Sequence, residues 1–453
     1  MPSKLTTATA TLSLLALATQ SAHAVLYAVD PGPYLPENGS FAAWYQDTHG
    51  RVLDLCLSKA LSSRVPGAPG APSYMCSLLP TPGVFDDAQP IVFPTNFPDE
   101  AFWFTADAAI TDAASGIDLG YGAAIEAAFN VEEPREGDQV SFARIRIRVD
   151  VPTPGIYTVT HPYGVEVYEI TAANIGDGRR AINMTRDIGI GAPKTYTGAL
   201  GGDIGPFLRS VNGPYTETNP VTQQSERYIG DPNLEEAVTG SPYGTNYVRI
   251  EGPNGIDLRT NLFAVSGKLS TVTRPTPVIM QRATYSRQPG SNGVVAQQDV
   301  FALAPPPPGT AKFADSLGEN VDMLESTATG NWYGQSANNP TALVDISLTA
   351  DNQAAIATST PTTASLRLKD QVQIQRAEYS LNSGQLIVQA SSSDQTALPA
   401  LTADFDHGAP IGPLTGDGVL KTLSTGISPL PPARVKVTSA NGGTDIEEVV
   451  ILP

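Results

Sequence analysis

Ala143, Ile145, Ile147, Val149 and Val151 stand at every second position, alternating with Arg144, Arg146, Arg148 and Asp150. Successive side chains of a β-strand point to opposite faces, so this spacing predicts a strand with one buried face and one polar face. Pro152-Thr153-Pro154-Gly155 then interrupts the run, with the fixed φ of proline and the permissive backbone of glycine. Further strands are predicted from Ile156 to Thr160 and, after His161-Pro162-Tyr163-Gly164, from Val165 to Ile170. Residues 141–170 thus read as a β-hairpin at the centre of an N-terminal β-rich region, 25–270.

Residues 1–24 read as a secretory signal peptide. Lys4 precedes a short apolar core from Leu12 to Ala18, and Ala22-His23-Ala24 fits a small-x-small cleavage site. That core is too short to cross a membrane, and no later apolar stretch approaches the ~20 residues a spanning helix needs. Membrane insertion is therefore not expected. Export predicts a secreted or periplasmic, oxidising location, where the lone pair Cys56 and Cys76 is expected to form a disulfide. The formal charge of −18 argues against nucleic acid and anionic membrane as partners.

The 41 Gly and 39 Pro are high for a helical protein and suit short strands joined by tight turns. One helical pattern stands out, Tyr121 to Asn130, where Ala123, Ala124, Ala127 and Ala128 would line one face. In Phe102-Trp103-Phe104, strict alternation would bury the two phenylalanines and turn Trp103 to the opposite face. There it would either pack beneath a neighbouring loop or present a sugar-stacking platform.

An internal repeat occupies the C-terminal part. Gln281-Arg282-Ala283-Thr284-Tyr285 recurs as Gln375-Arg376-Ala377-Glu378-Tyr379, each after an alternating apolar approach. Closing strands carry Val344, Ile346 and Leu348 in the first copy and Val435 and Val437 in the second. Two modules are predicted, 277–352 and 368–453, near β-sandwich size, with a Thr/Ala-rich linker at 353–367. Thr271 to Pro277 reads as a short stiff linker before them.

These modules resemble the immunoglobulin-like and fibronectin-III-like domains found in tandem on bacterial exported proteins. The carriers are the Arg-Ala-x-Tyr strand, the Gln385 to Ala390 strand and the closing strand before Asn441-Gly442. Pro154-Gly155-Ile156-Tyr157-Thr158-Val159-Thr160 is similar to a strand of such sandwiches. The inter-sheet disulfide of true immunoglobulin domains is absent, and Trp332 stands elsewhere than their core Trp. The resemblance implies an all-β fold of several sandwiches, immunoglobulin-like at the C-terminus. It also implies a role as spacer, adhesive surface or accessory binding module, a choice the fold does not make.

Catalytic patterns are scarce. His23 leaves with the signal peptide, and His49, His161 and His407 are far apart, which leaves helical zinc motifs unsupported. Asp99, Glu100, Asp107, Asp112 and Asp118 cluster around the aromatic triplet. A glycosidase needs two carboxylates about 5–10 Å apart across a sugar. Trp103, Asp99 and Glu100 are therefore candidate ligand contacts, with Arg144, Arg146 and Arg148 as a basic stripe that either neutralises acidic neighbours or meets an anionic polysaccharide. Asp404 and Asp406 form the one candidate metal pair, for calcium, but they lack the third acidic position and distal Glu of a calcium loop. No cofactor is expected. The composite reading is a secreted, non-enzymatic surface, matrix or ligand-binding protein whose partners are polysaccharide or other cell-surface proteins. The competing reading is a secreted carbohydrate-active enzyme with an N-terminal catalytic region.

Overall fold

The computed structural model describes residues 26–176 and 180–453; the segment 1–24, read above as a signal peptide, lies outside them. The chain first forms β1 (Leu26–Val29), β2 (Trp44–Asp47), β3 (Val52–Asp54), β4 (Glu100–Asp112), β5 (Ile117–Phe129), β6 (Gln139–Asp150), β7 (Gly155–His161), β8 (Gly164–Ile170) and β9 (Ile182–Ile188). It continues through β10 (Arg209–Ser210), β11 (Tyr215–Thr218), β12 (Ser225–Tyr228), β13 (Glu236–Thr239), β14 (Val248–Gly252), β15 (Ile256–Thr260), β16 (Leu262–Ser266) and β17 (Lys268–Leu269).

These strands build three sheets. A seven-stranded sheet runs β10-β13-β16-β4-β5-β6-β9, a four-stranded sheet β15-β14-β7-β8, and a six-stranded sheet β1-β2-β3-β17-β12-β11. Ile145, Ile147 and Val149 of β6 join Leu119, Tyr121 and Ile125 of β5 in one core with Tyr157 and Val159 of β7 and Val248 and Ile250 of β14. The period-two pattern of β6 thus becomes the inner face of a sandwich. Its arginines lie on the outer face, grading from half-buried Arg144 and Arg146 to exposed Arg148.

Three expectations are corrected here. The 141–170 stretch is not one hairpin: β6 pairs with β5 and β9, and the chain crosses after Asp150 to the other sheet. The hairpin is β7–β8, with Tyr157 opposite Tyr168. Two prolines among the four connecting residues supply no N–H for a ladder turn, which favours a crossing between sheets. Tyr121 to Asn130 is not helical; Tyr121 to Phe129 lie in β5, a strand paired with both β4 and β6. Its paired alanines, Ala123-Ala124 and Ala127-Ala128, put one small side chain on each face of a central strand, and pairing on both sides overrides helix propensity. Finally, a β-bulge shifts the β4–β5 register between Phe102 and Phe104. One residue of phase exchanges the faces. Trp103 therefore joins Phe104 in the core at 0% exposure, and Phe102 turns to the outer face.

The C-terminal part holds two further sandwiches. In the first, a sheet ordered Ile279–Gly290, Gly293–Leu303, Asn331–Ser336, Leu324–Glu325 faces one ordered Asn320–Asp322, Thr310–Ala314, Asp345–Asp351, Thr362–Arg367. Tyr285, Val300, Phe313, Trp332 and Ile346 lie in the core between them. In the second, Ala377, Tyr379, Val388, Ala403, Val435 and Val437 do the same. The expected linker 353–367 is corrected, because Thr362–Arg367 is a strand of the first sandwich with Leu366 opposite Ile346. Its Thr, Ser and Ala residues carry too little apolar contrast to mark a buried face.

The expected linker at 271–277 is also tied down. Arg274 and Pro275 pair in parallel with Ser359 and Thr360, and the Arg274 guanidinium lies 3.9 Å from the Trp44 ring. Asn352 Nδ2 donates to the His49 carbonyl at 3.1 Å. Between the two C-terminal sandwiches, the fully buried Asp394 accepts from Tyr285 Oη at 3.0 Å and from Arg287 Nε at 2.8 Å. Backbone bonds from Tyr285 to Lys369 and from Lys369 to Ala283 add to this junction.

Candidate functional site

The outer face of the seven-stranded sheet carries a trough along β5. Its floor is Gly120, Gly122 and Ala124, which end in little or no side chain on the solvent side of a central strand. Register places Arg148 beside Gly120, Arg146 beside Gly122 and Arg144 beside Ala124. On the other side Asp107 stands beside Gly122 and Phe102 beside Glu126. Two cavities meet here, sharing Asp107, Gly122 and Arg146: one of about 260 Å³ toward Glu100 and Glu126, one of about 380 Å³ toward Arg148 and Glu235.

The bare floor is a consequence of sequence. An interior glycine weakens a strand, and where one is retained a ligand or another backbone often approaches closely. A Cβ built on Gly120 meets no atom within 4 Å. Packing therefore does not demand glycine at this position. At Gly122 the same Cβ would come within 3.1 Å of Asp107 Oδ1.

One rim is braced by the disulfide. Cys56 and Cys76 are bonded, with their Cα atoms 5.3 Å apart. The chain leaving Cys76 places Ser77 and Leu79 along the trough.

The charges form two groups. Arg144 donates Nε and Nη2 to the two oxygens of Asp187 at 2.7 and 2.9 Å, and its Nη1 to Glu126 at 2.9 Å. Burial pushes the Glu126 carboxyl above its ordinary range, against the pull of Arg144, with Glu100 adding to the rise. Farther along, Asp107 opens to solvent, yet the surrounding protein pushes its carboxyl up to about 6 while Arg146 draws it down. Arg146 Nε is buried with no hydrogen-bond partner among the described residues.

The candidate contacts read from sequence divide accordingly. Glu100, Arg144, Arg146 and Arg148 line the trough. Trp103 does not: it is a core residue whose Nε1 donates to the Ala42 carbonyl at 3.1 Å, so a sugar platform there is excluded. Asp99 accepts from Thr81 Oγ1 at 2.8 Å and is not among the lining residues. Asp112 and Asp118 sit at the β4–β5 turn, Asp112 bonded to the Ser115 amide and Asp118 to Arg180. Asp406 pairs with Arg434 at 3.0 Å, and Asp404 lies in the strand Leu401–Phe405 of the second C-terminal sandwich. Among the described residues no group of three or more His, Cys, Asp or Glu side chains is placed to hold a metal ion. Sequence reasoning missed Glu126, Asp187 and the glycine floor. The helical reading of 121–130 concealed Gly122 and Glu126, although Gly120, Gly122, Ala124 and Glu126 keep a period of two, and Asp187 comes from a distant strand.

Neither a protein-family model nor any curated protein matches the chain. Among solved structures, the teleost fish polymeric Ig receptor ectodomain is similar over 38% of this chain and 98% of that one, at 8% identity and a TM-score of 0.20. The BSP domain of a biofilm associated protein matches over 76% of each chain, at 9% identity and a TM-score of 0.19. Sidekick-1 immunoglobulin domains 1–4 match over 77% of this chain and 90% of that one, at 9% identity and a TM-score of 0.17. TM-scores this low carry no argument for a shared function, and the all-β architecture rests on the strands themselves.

Proposed function

We propose that this is an extracytoplasmic, modular β-sandwich protein that binds a ligand non-enzymatically in the trough over β5. Its tandem C-terminal sandwiches act as a stiff arm. The carrying observation is Gly120, a central-strand residue with open space where a side chain would fit. The disulfide is consistent with an oxidising compartment. Polysaccharides and other cell-surface proteins are the partner classes this reading admits.

The competing enzymatic reading draws support from two carboxyls held above their ordinary range in one trough, Glu126 and Asp107. The geometry weighs against it. Asp107 is registered with Gly122, four residues from Glu126, so the two positions are about 13 Å apart along the strand, beyond the ~5–10 Å of glycosidase pairs. Glu126 is also 2% exposed and held by Arg144.

Gly120→Tyr tests the proposal, because the new ring fills the trough without a backbone clash. The variant is expected to keep the wild-type unfolding midpoint and to lose ligand in a glycan and surface-protein array. Identical binding profiles would overturn the assignment. Release of reducing ends that Asp107→Asn abolishes would replace it with the enzymatic reading.

A further inference from the structure

We infer that the trough takes an acidic saccharide, its carboxylate between Arg146 and Arg148 and its ring lying on Gly120 and Gly122. This inference rests on the trough being a binding site.

Arg146 and Arg148 differ from Arg144 in what satisfies them. Arg144 spends its guanidinium on Glu126 and Asp187. Arg146 keeps a buried Nε–H without a partner, and Arg148 is exposed and enters no ion pair among the described residues. A guanidinium is a donor only, so the group it lacks is an acceptor. The two arginines are two residues apart on one strand face, about 7 Å, which lets a single carboxylate reach donors from both. Both guanidiniums line the trough, so a carboxylate lying there can accept from their N–H groups.

The other wall has the complementary chemistry. Asp107 and Glu235 present acceptors across the trough from the arginines. A ligand that meets both walls therefore offers a carboxylate on one side and hydroxyl donors on the other. A uronic acid residue carries both on one ring. The floor suits that ring, because glycine leaves room for a flat face to settle on the backbone.

A peptide is the less favoured occupant. Extended peptides bind sheets by adding a strand at a free edge. β5 has no free edge here, since it is hydrogen-bonded to β4 and β6 along its length. The outward side chains and the bare glycine floor remain to hold the ligand.

The test is titration calorimetry on the intact chain with oligogalacturonate, alginate oligomers and hyaluronan oligomers, and with fully methyl-esterified oligogalacturonate as the uncharged match. At least one acidic oligomer is expected to bind at least about tenfold tighter than the ester, and to weaken as salt rises. Arg148→Gln, at an exposed position, is expected to cost about tenfold toward the acidic form and to leave the ester unchanged. Gly120→Tyr is expected to abolish both. Equal affinity for acid and ester, with Gly120→Tyr still blocking, would overturn the acidic ligand and leave the trough standing. Acidic binding that survives Gly120→Tyr would overturn the trough itself. No binding by any acidic oligomer at about 1 mM would also overturn the inference.

Discussion

Arg144 donates Nη1 to both carboxylate oxygens of Glu126, at 3.2 and 2.9 Å, across the β5–β6 ladder. The pair is the anchored end of the basic stripe: Glu126 is almost wholly inside the protein and Arg144 is 18% exposed. Removing one partner of such a pair leaves the other desolvated and unpaired. Arg144→Ala is expected to lower stability by about 3 kcal/mol in urea denaturation. Adding Glu126→Gln should recover part of that loss. Arg148→Ala, at the exposed end, should stay within about 0.5 kcal/mol of wild type. Equal effects at 144 and 148 would show that the pair contributes nothing special.

The same carboxyl predicts a pH dependence. Burial, opposed by Arg144 and reinforced by Glu100, raises the folded pKa of Glu126 from the ordinary carboxylate range to about 8. A carboxyl whose folded pKa lies above its unfolded one binds its proton more tightly in the native chain. Its stabilising contribution is full below the unfolded pKa and is lost as pH rises through the folded one. Wild-type thermal stability should therefore fall from about pH 5 toward about pH 8, and Glu126→Gln, which cannot ionise, should fall less. Parallel melting curves for the two proteins would refute this.

Ile147 tests the strand faces. It is fully buried between the two sheets, and its neighbours on β6 point outward. Ile147→Ala is expected to cost about 2–5 kcal/mol through lost burial and the cavity left behind. An effect smaller than that of Arg148→Ala would contradict the assigned faces.

The disulfide closes a loop between residues 20 apart in sequence. Replacing both cysteines with serine is expected to cost about 3 kcal/mol by the chain-entropy model. Since Ser77 and Leu79 follow Cys76 into the rim, ligand affinity should fall as well. Non-reducing mass spectrometry should find the two peptides linked in protein recovered from outside the cytoplasm. Two free thiols there would contradict the pairing.

Asp394 ties the two C-terminal sandwiches together. It is buried at the junction of the C-terminal sandwiches, where Tyr285 and Arg287 donate to it. Asp394→Ala strands both donors and is expected to cost about 1–3 kcal/mol. Small-angle scattering should then show a broader spread of angles between the sandwiches. An unchanged scattering profile would show that the backbone pairing alone holds the junction.

Much of the fold was legible because strand periodicity is local. The buried and outward residues of β6 follow from alternation alone, since a slip of one residue would exchange every one of them. The candidate site was legible only in part. Arg144, Arg146, Arg148 and Glu100 lie where a polar strand face places them. Trp103 was misplaced because a bulge is a property of the pair of strands, and nothing in Phe102-Trp103-Phe104 announces it. The strand Thr362–Arg367 was read as a linker because half-buried Thr and Ser lack the contrast that marks a face.

By itself, then, the sequence determined an all-β chain, the two faces of its central strands, and the one cysteine pair available to bond. Those are consequences of side-chain period and count, which neighbours in sequence dictate. Tertiary structure alone decided that β6 pairs with β5 and β9 rather than with β7, and that Arg144 meets Glu126 and Asp187 from two other strands. It also decided that Gly120 and Gly122 form a floor between two charged walls. The reason is physical: register and sheet order depend on pairing energies between segments distant in the chain, and a binding surface exists only once those segments lie side by side.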